Sequence, residues 1–234
     1  IDAYAMAAAS VDEALRNAVC VGVDLDLIAG LDNFCWPDPV ESPKTPDGRY
    51  KLAQLVRANR AIDDTCRAYR LPCISGKDSM KNDATLNGEK ISVPPTILFS
   101  LVGNHPDVRK AVSSDFKAPG DAIYLLGETH QELGASEMAF MLSEEGQGGI
   151  GGTVPEIDTT RNLAMYRALT SAMRESLVRS AHDCSDGGLA TALAECCFGA
   201  DSGAEVDVSP LWIDCDSLDK WGALFGESLG RILV

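Results

Sequence analysis

The sequence predicts an α+β fold, and three observations carry that prediction. Apolar residues recur at helical spacing in some segments and form short strand-like runs in others. The two kinds of segment mix without the strict alternation that builds a doubly wound sheet. A turn-rich stretch ending in Lys117-Ala118-Pro119-Gly120-Asp121 separates an expected first domain, residues 1–104, from an expected α+β domain, residues 105–234.

Taken in order, the first expected element is a helix from Tyr4 to Cys20, in which Met6, Val11, Ala14, Leu15 and Ala18 share a face, Asp2 can cap and Gly22 closes. Leu27–Phe34 reads as a strand running into a loop stiffened by Pro37, Pro39, Pro43 and Pro46. Leu52, Leu55, Val56, Ile62, Cys66 and Tyr69 then keep a second helical rhythm. Leu71–Ile74 is a short apolar run leading into Ser75-Gly76-Lys77-Asp78-Ser79, expected as a glycine turn, and Ile91–Val102 reads as strand broken by Pro94-Pro95. Beyond the divide come an expected strand at Ala122–Gly127, a helix at Ser136–Ser143 and a glycine-rich connection from Gly146 to Gly152. Asp158 caps a helix through Leu177, Val178–Ala181 reads as strand, Gly188–Phe198 as helix, Ala204–Val208 as strand, and Arg231–Val234 as a final strand.

Composition excludes several function classes. The chain has 234 residues, 45% of them hydrophobic, enough for a real core, and it reads as a soluble globular protein. A formal net charge of −15 repels nucleic acid and anionic membrane faces alike. No apolar run approaches the roughly 20 residues of a spanning helix, and no charged-then-apolar leader opens the chain. The eight cysteines include no C-x-x-C pair, which disfavours structural zinc and points to buried thiols in a reducing cytosol. A start at Ile1 rather than methionine, and an end at Val234 inside an apolar run, suggest an excised fragment.

The strongest local signal is His182-Asp183-Cys184-Ser185-Asp186-Gly187-Gly188, between an expected strand and the first turn of a helix. Carboxylates are hard ligands for Mg²⁺, a hydroxyl can donate to phosphate, and a helix N-terminus presents amides to an anion. The same residue types also make an ordinary Asp/Ser/Gly turn with a helix cap. Glu13 and Asn17, four apart on one helix, could offer two oxygens to a hard cation or be a solvated polar pair. Ser75-Gly76-Lys77-Asp78-Ser79 offers a lysine and hydroxyls to phosphate, but it lacks the upstream glycine of a P-loop. Asp32 with Asn33 could hydrogen-bond a base or ribose, or cap a turn. The glycines of 146–152 do not follow the dinucleotide-binding pattern, and the adjacent Cys196-Cys197 read as packing residues.

Taken together and in order, Asp2-Ala3-Tyr4-Ala5-Met6-Ala7, Val11-Asp12-Glu13-Ala14-Leu15-Arg16-Asn17, Leu31-Asp32-Asn33-Phe34-Cys35-Trp36, Ser75–Ser79, Val154-Pro155-Glu156-Ile157-Asp158, His182–Gly188 and Phe225-Gly226-Glu227-Ser228 resemble the phosphoribosylformylglycinamidine synthase family of the aminoimidazole ribonucleotide synthetase superfamily. The resemblance covers essentially the whole chain. It implies a partial N-terminal-type, ATP-binding domain over 1–104, then a C-terminal-type α+β domain over 105–234 truncated at its end. Together these are the second half of a two-half synthetase core, lacking its first half. The reaction implied is the cytoplasmic, ATP-dependent conversion of formylglycinamide ribonucleotide to its amidine in purine biosynthesis, with ammonia from a glutaminase domain or subunit. Phosphoryl transfer from ATP activates the amide oxygen and ammonia then displaces phosphate, so the isolated fragment is expected to be inactive.

Residue by residue, the resemblance makes Glu13, Asn17 and Asp183 Mg²⁺ ligands and Ser185 a nucleotide contact. Asp32 and Gly76 match ATP-contacting positions, and Ser79 a substrate-contacting one. Lys77 stands where some members use a ligating asparagine; an ammonium cannot ligate Mg²⁺ but can neutralise phosphate. The family's catalytic histidine falls in the absent half, so no catalytic residue is assigned here. Two further readings remain. In one, this half binds Mg²⁺ and ADP structurally, without turnover. In the other, the chain is a different superfamily enzyme, such as a selenophosphate synthetase or thiamine monophosphate kinase, against which the Asp32–Trp36 and Ser75–Ser79 runs argue. Sheet edges left open by a missing half would also allow a homodimer of the fragment.

Overall fold

The computed structural model describes residues 2–143, 151–199, 203–213 and 216–234. Residues 146–150 of the expected glycine-rich connection, and Cys215, lie outside them. The chain forms two compact units, the first of residues 1–14 and 28–102, the second of residues 15–27 and 103–234. Residues 15–27 therefore group with the later part of the chain rather than with 1–104. Ion pairs within the second unit account for this: Asp24 with Arg174 at 3.2 Å, Asp26 with Arg167 at 2.8 Å, and Arg16 with Asp183 at 3.6 Å.

The first unit holds the start of helix α1 (Ala3–Cys20), strand β1 (Ile28–Cys35), helix α2 (Gly48–Tyr69), and strands β2 (Cys73–Ser79), β3 (Asp83–Leu86), β4 (Glu89–Ser92) and β5 (Thr96–Gly103). Asp2 caps α1 by accepting from the Tyr4 amide at 2.7 Å, as its sequence position predicts. The helices are tied side by side, since the buried Tyr69 hydroxyl donates to the buried Asp12 and the Tyr4 hydroxyl donates to Asp64 at 2.9 Å. β1 is the middle of a sheet ordered β2-β1-β5 and runs parallel to β2. β3 and β4 form a separate antiparallel hairpin around Asn87 (φ 52°) and Gly88 (φ 87°), an Asn-Gly pair suited to two left-handed positions.

One expectation is corrected here. Ser75–Ser79 is not a turn but the body of β2, because it continues the ladder opposite Leu31–Cys35. A glycine and two hydroxyls suggest a turn by residue type, and tertiary pairing overrides that preference.

The second unit contains β6 (Leu125–Leu126), α3 (Glu137–Leu142), α4 (Thr159–Arg174), β7 (His182–Asp183), α5 (Gly188–Phe198), α6 (Lys220–Phe225) and β8 (Ile232–Leu233). β8 lies between β6 and β7, antiparallel to both. Against it packs a core of Cys184, Leu189, Ala192, Cys196 and Leu233. Asp158 caps α4 by accepting from the Arg161 amide at 3.0 Å. Two expected strands are absent from the described residues. Val178–Ala181 gives way to His182–Asp183, the residues that reach β8, and Ala204–Val208 alternates like a strand yet forms no ladder. Among the described residues no helix is long and apolar enough to cross a membrane, and every cysteine is a free thiol.

Candidate functional site

In the second unit the site grows out of β7. Pairing of His182 with Leu233 and Asp183 with Ile232 fixes the strand, and the Cys184 amide donates to the Arg231 carbonyl at 3.0 Å. Gly187 (φ 75°) and Gly188 (φ 67°) then turn the chain into α5 through left-handed positions that side chains resist. The carboxylate of Asp183 is thereby held buried at 7% exposure.

Three groups converge on that carboxylate. The Ser185 hydroxyl donates to its Oδ2, and Arg16 Nε lies 3.6 Å from the same oxygen. His182 Nδ1 lies 3.4 Å from Oδ1, while His182 Nε2 is 2.8 Å from Glu195. Burial pushes the Asp183 carboxyl up, but His182, Ser185 and the Arg16 charge outweigh it and leave the group below its ordinary value. The hydrogen bond to Asp183 raises His182 in turn, against burial. Cys184, inside the same motif, is pushed up to about 11 by burial and is a packing thiol rather than a nucleophile.

The expectation that α5 offers open glycine amides to an anion is corrected. The Gly187 amide donates to Glu227 Oε1 at 2.9 Å, and the Gly188 amide to the Ser185 carbonyl at 3.0 Å. Glu227 Oε1 also accepts from the Glu137 amide at 2.8 Å, so one carboxylate serves the starts of α5 and α3. Glu227 and Arg16 are the residues that sequence reasoning passed over. Arg16 had a signal: it lies three and four residues before Val19 and Cys20, so a charge shares a face of α1 with apolar residues and ends at 1% exposure. Glu13 and Asn17 project from the same helix on an exposed face.

In the first unit, the parallel register places Asp32 opposite Gly76 and Asn33 opposite Lys77. A side chain at 76 would overlap the Asp32 carboxylate, so glycine is what lets that carboxylate lie across β2. Lys77 Nζ donates to Ser79 Oγ at 2.7 Å. Asp32 also lines an open cleft of about 650 Å³ with Asp63, Cys66, Arg67, Arg70 and Cys73, which adds two guanidinium groups that the sequence did not single out. Gly76→Ala is expected to cost this unit about 0.5–1.5 kcal/mol in urea unfolding, because the Asp32 side chain must leave its rotamer to make room. Gly203→Ala, where an added methyl meets open space, should stay within about 0.5 kcal/mol of the parent. Equal stability of the two variants would show that Asp32 does not need the glycine.

The donors present suit a hard cation. Asp183 and Asn17 of the second unit each offer a side-chain oxygen, and the depressed Asp183 carboxyl is ionised over a wide pH range. Among the described residues no group of three or more His, Cys, Asp or Glu side chains gathers as a metal cage. Mg²⁺ commonly takes one or two carboxylates and completes its shell with phosphate and water, so an ionised carboxylate such as Asp183 is compatible with it.

Comparison with known proteins gives a consistent result. Residues 118–234 match the family of AIR synthase related protein, C-terminal domain. The whole chain aligns with phosphoribosylformylglycinamidine synthase subunit PurL of Anaeromyxobacter sp. (strain Fw109-5) at 38% identity, and with that of Synechococcus sp. (strain JA-2-3B'a(2-13)) at 35%. The chain spans 29% and 28% of those two relatives' lengths. Among solved structures, T. maritima PurL complexed with FGAR matches with a TM-score of 0.69 at 19% identity, over 100% of this chain and 35% of that one. Thiamine monophosphate kinase from Aquifex aeolicus matches with a TM-score of 0.53 at 15% identity, over 100% of this chain and 72% of that one. The structural likenesses extend the shared fold to the first unit.

Proposed function

Because the chain belongs to the AIR synthase related protein family, we propose that it is one part of an ATP-dependent carbon–nitrogen ligase, a phosphoribosylformylglycinamidine synthase. The substrate would be formylglycinamide ribonucleotide, and the ammonia would come from glutamine through a glutaminase domain or subunit. The observation that carries this reading is end-to-end similarity to PurL subunits at 34–38% identity, combined with the buried, charge-held Asp183 beside Ser185. The first unit's Asp32, Gly76, Lys77 and Ser79 would meet ATP and substrate. Their placement on two adjacent strands supports a shared role, since register keeps Asp32 and Gly76 face to face.

Asp183 and Asn17, both in the second unit, would hold Mg²⁺, which when bound would offset charge on the nucleotide phosphates. Ser185 would contact the nucleotide. Lys77 would bring an ammonium to phosphate without entering a metal shell. Asp183 needs no proton movement to serve, because its neighbours keep it ionised.

The deciding experiment is an assay of the full-length protein with formylglycinamide ribonucleotide, ATP and glutamine. ATP hydrolysis coupled to glutamate release and amidine formation is expected. Hydrolysis uncoupled from glutamate, or supported instead by thiamine monophosphate, would overturn the reading. The 234-residue chain by itself should form no amidine, because it spans under a third of the relatives it matches.

A further inference from the structure

Arg16 is a buried cation in direct company with a carboxylate and a hydroxyl, and its position asks for an explanation. The guanidinium is carried by α1 on the turn between Glu13 and Asn17 and is 1% exposed. Its Nε lies 3.6 Å from Asp183 Oδ2, and its Nη2 donates to Ser185 Oγ at 3.3 Å. Ser185 Oγ donates in turn to that same Oδ2. One oxygen of Asp183 is thus shared by a guanidinium and a hydroxyl, while His182 attends the other.

A fixed positive charge at this distance has opposite effects on two ligands. It repels a free divalent cation approaching Asp183, and the repulsion is strong because burial limits screening by water and salt. It attracts phosphate, for which a guanidinium is the better-matched partner, with several N–H donors in one plane. The same group also orients Ser185, so hydroxyl and carboxylate move as one unit.

We propose that Arg16 is a positioning and specificity-determining residue that makes the Asp183–Ser185 turn a receptor for a metal–phosphate complex rather than for a free divalent cation. The inference rests on the reading of Asp183 as a metal ligand, and it adds what selects the form in which the metal arrives. Metal without phosphate meets Arg16 as a competitor. Metal carrying a polyphosphate brings the anion that the guanidinium accepts in exchange for the carboxylate.

The test is binding of Mn²⁺ alone and of Mn²⁺–ADP to the full-length protein, followed by electron paramagnetic resonance and calorimetry. The sites that disappear in Asp183→Ala identify the signal to compare. Arg16→Met is expected to bind Mn²⁺ alone about tenfold more tightly and Mn²⁺–ADP about tenfold more weakly, the sign reversal that a structural role would not produce. Arg16→Lys keeps the charge and loses the planar fork, so free-metal affinity should hold while Mn²⁺–ADP binding weakens severalfold. This second variant remains decisive if the methionine variant does not fold. Parallel changes for both ligands, or no change in the lysine variant, would overturn the inference and leave the metal site standing. If Asp183→Ala loses neither the Mn²⁺ nor the Mn²⁺–ADP signal, the metal site itself is overturned, and the inference with it.

Discussion

Gly188→Ala is expected to lower the stability of the second unit by about 2–4 kcal/mol, read as an earlier urea midpoint with an unchanged slope. The residue has φ 67°, where a side chain costs about 1–2 kcal/mol of backbone strain. An added Cβ would also lie 2.5 Å from the Gly226 carbonyl oxygen and 2.9 Å from that of Leu224. Those are backbone atoms, fixed where α6 ends, and neither can swing aside. Gly187→Ala offers the comparison within the same turn. Its φ of 75° brings similar strain, but the methyl would meet the side chain of Thr191, which can change rotamer. The loss at Gly187 should therefore be the smaller. Equal losses would mean that α5 does not start hard against residues 224–226. The consequence reaches the site, because Asp183 and Ser185 lie on the approach to this turn and inherit its direction.

Much of the fold and part of the site are legible in the sequence, and the divide between legible and hidden follows range. Helix α5 falls at Gly188–Phe198 as its apolar rhythm predicts, and Asp2 and Asp158 cap the helices they precede, because caps and helical faces are local. Strands depend on a partner that the local pattern does not name. Ala204–Val208 alternates without pairing, while the short His182–Asp183 segment is a strand only because β8 meets it. Ser75–Ser79 is hidden for the same reason, its residue types saying turn while its register with Leu31–Cys35 says strand. The hairpin around Asn87-Gly88 did carry a local signal, in the dipeptide itself. At the site, Asp183 and Ser185 are near neighbours in sequence and readable as a pair. Arg16 lies 169 positions from Ser185, and only its intrusion into an apolar phase betrays it.

Glu227→Ala is expected to cost about 1–3 kcal/mol, because two amides, those of Gly187 and Glu137, lose their acceptor together. Glu227→Gln keeps an accepting oxygen and removes the charge, so it should be no less stable than the parent at neutral pH. The pH dependence separates charge from hydrogen bonding. Burial is the largest influence on the Glu227 carboxyl and raises it above its ordinary value, with the two amides pulling the other way and the charges of Asp186 and Glu137 adding to the rise. A carboxyl raised in the folded state holds its proton more tightly there than in the unfolded chain. Its contribution to stability is thus greatest below the ordinary carboxylate value and declines as pH climbs through the raised one. Thermal melts should show this decline in the parent and a flatter profile in the glutamine variant; parallel profiles would show that Glu227 is not the group responsible. The alanine variant has one further consequence, because Glu227 is the anion that occupies the start of α5. With it gone, the Gly187 amide becomes available, and added inorganic phosphate should stabilise Glu227→Ala more than it stabilises the parent. No difference in that response would mean that the amide is closed to anions for a reason other than Glu227.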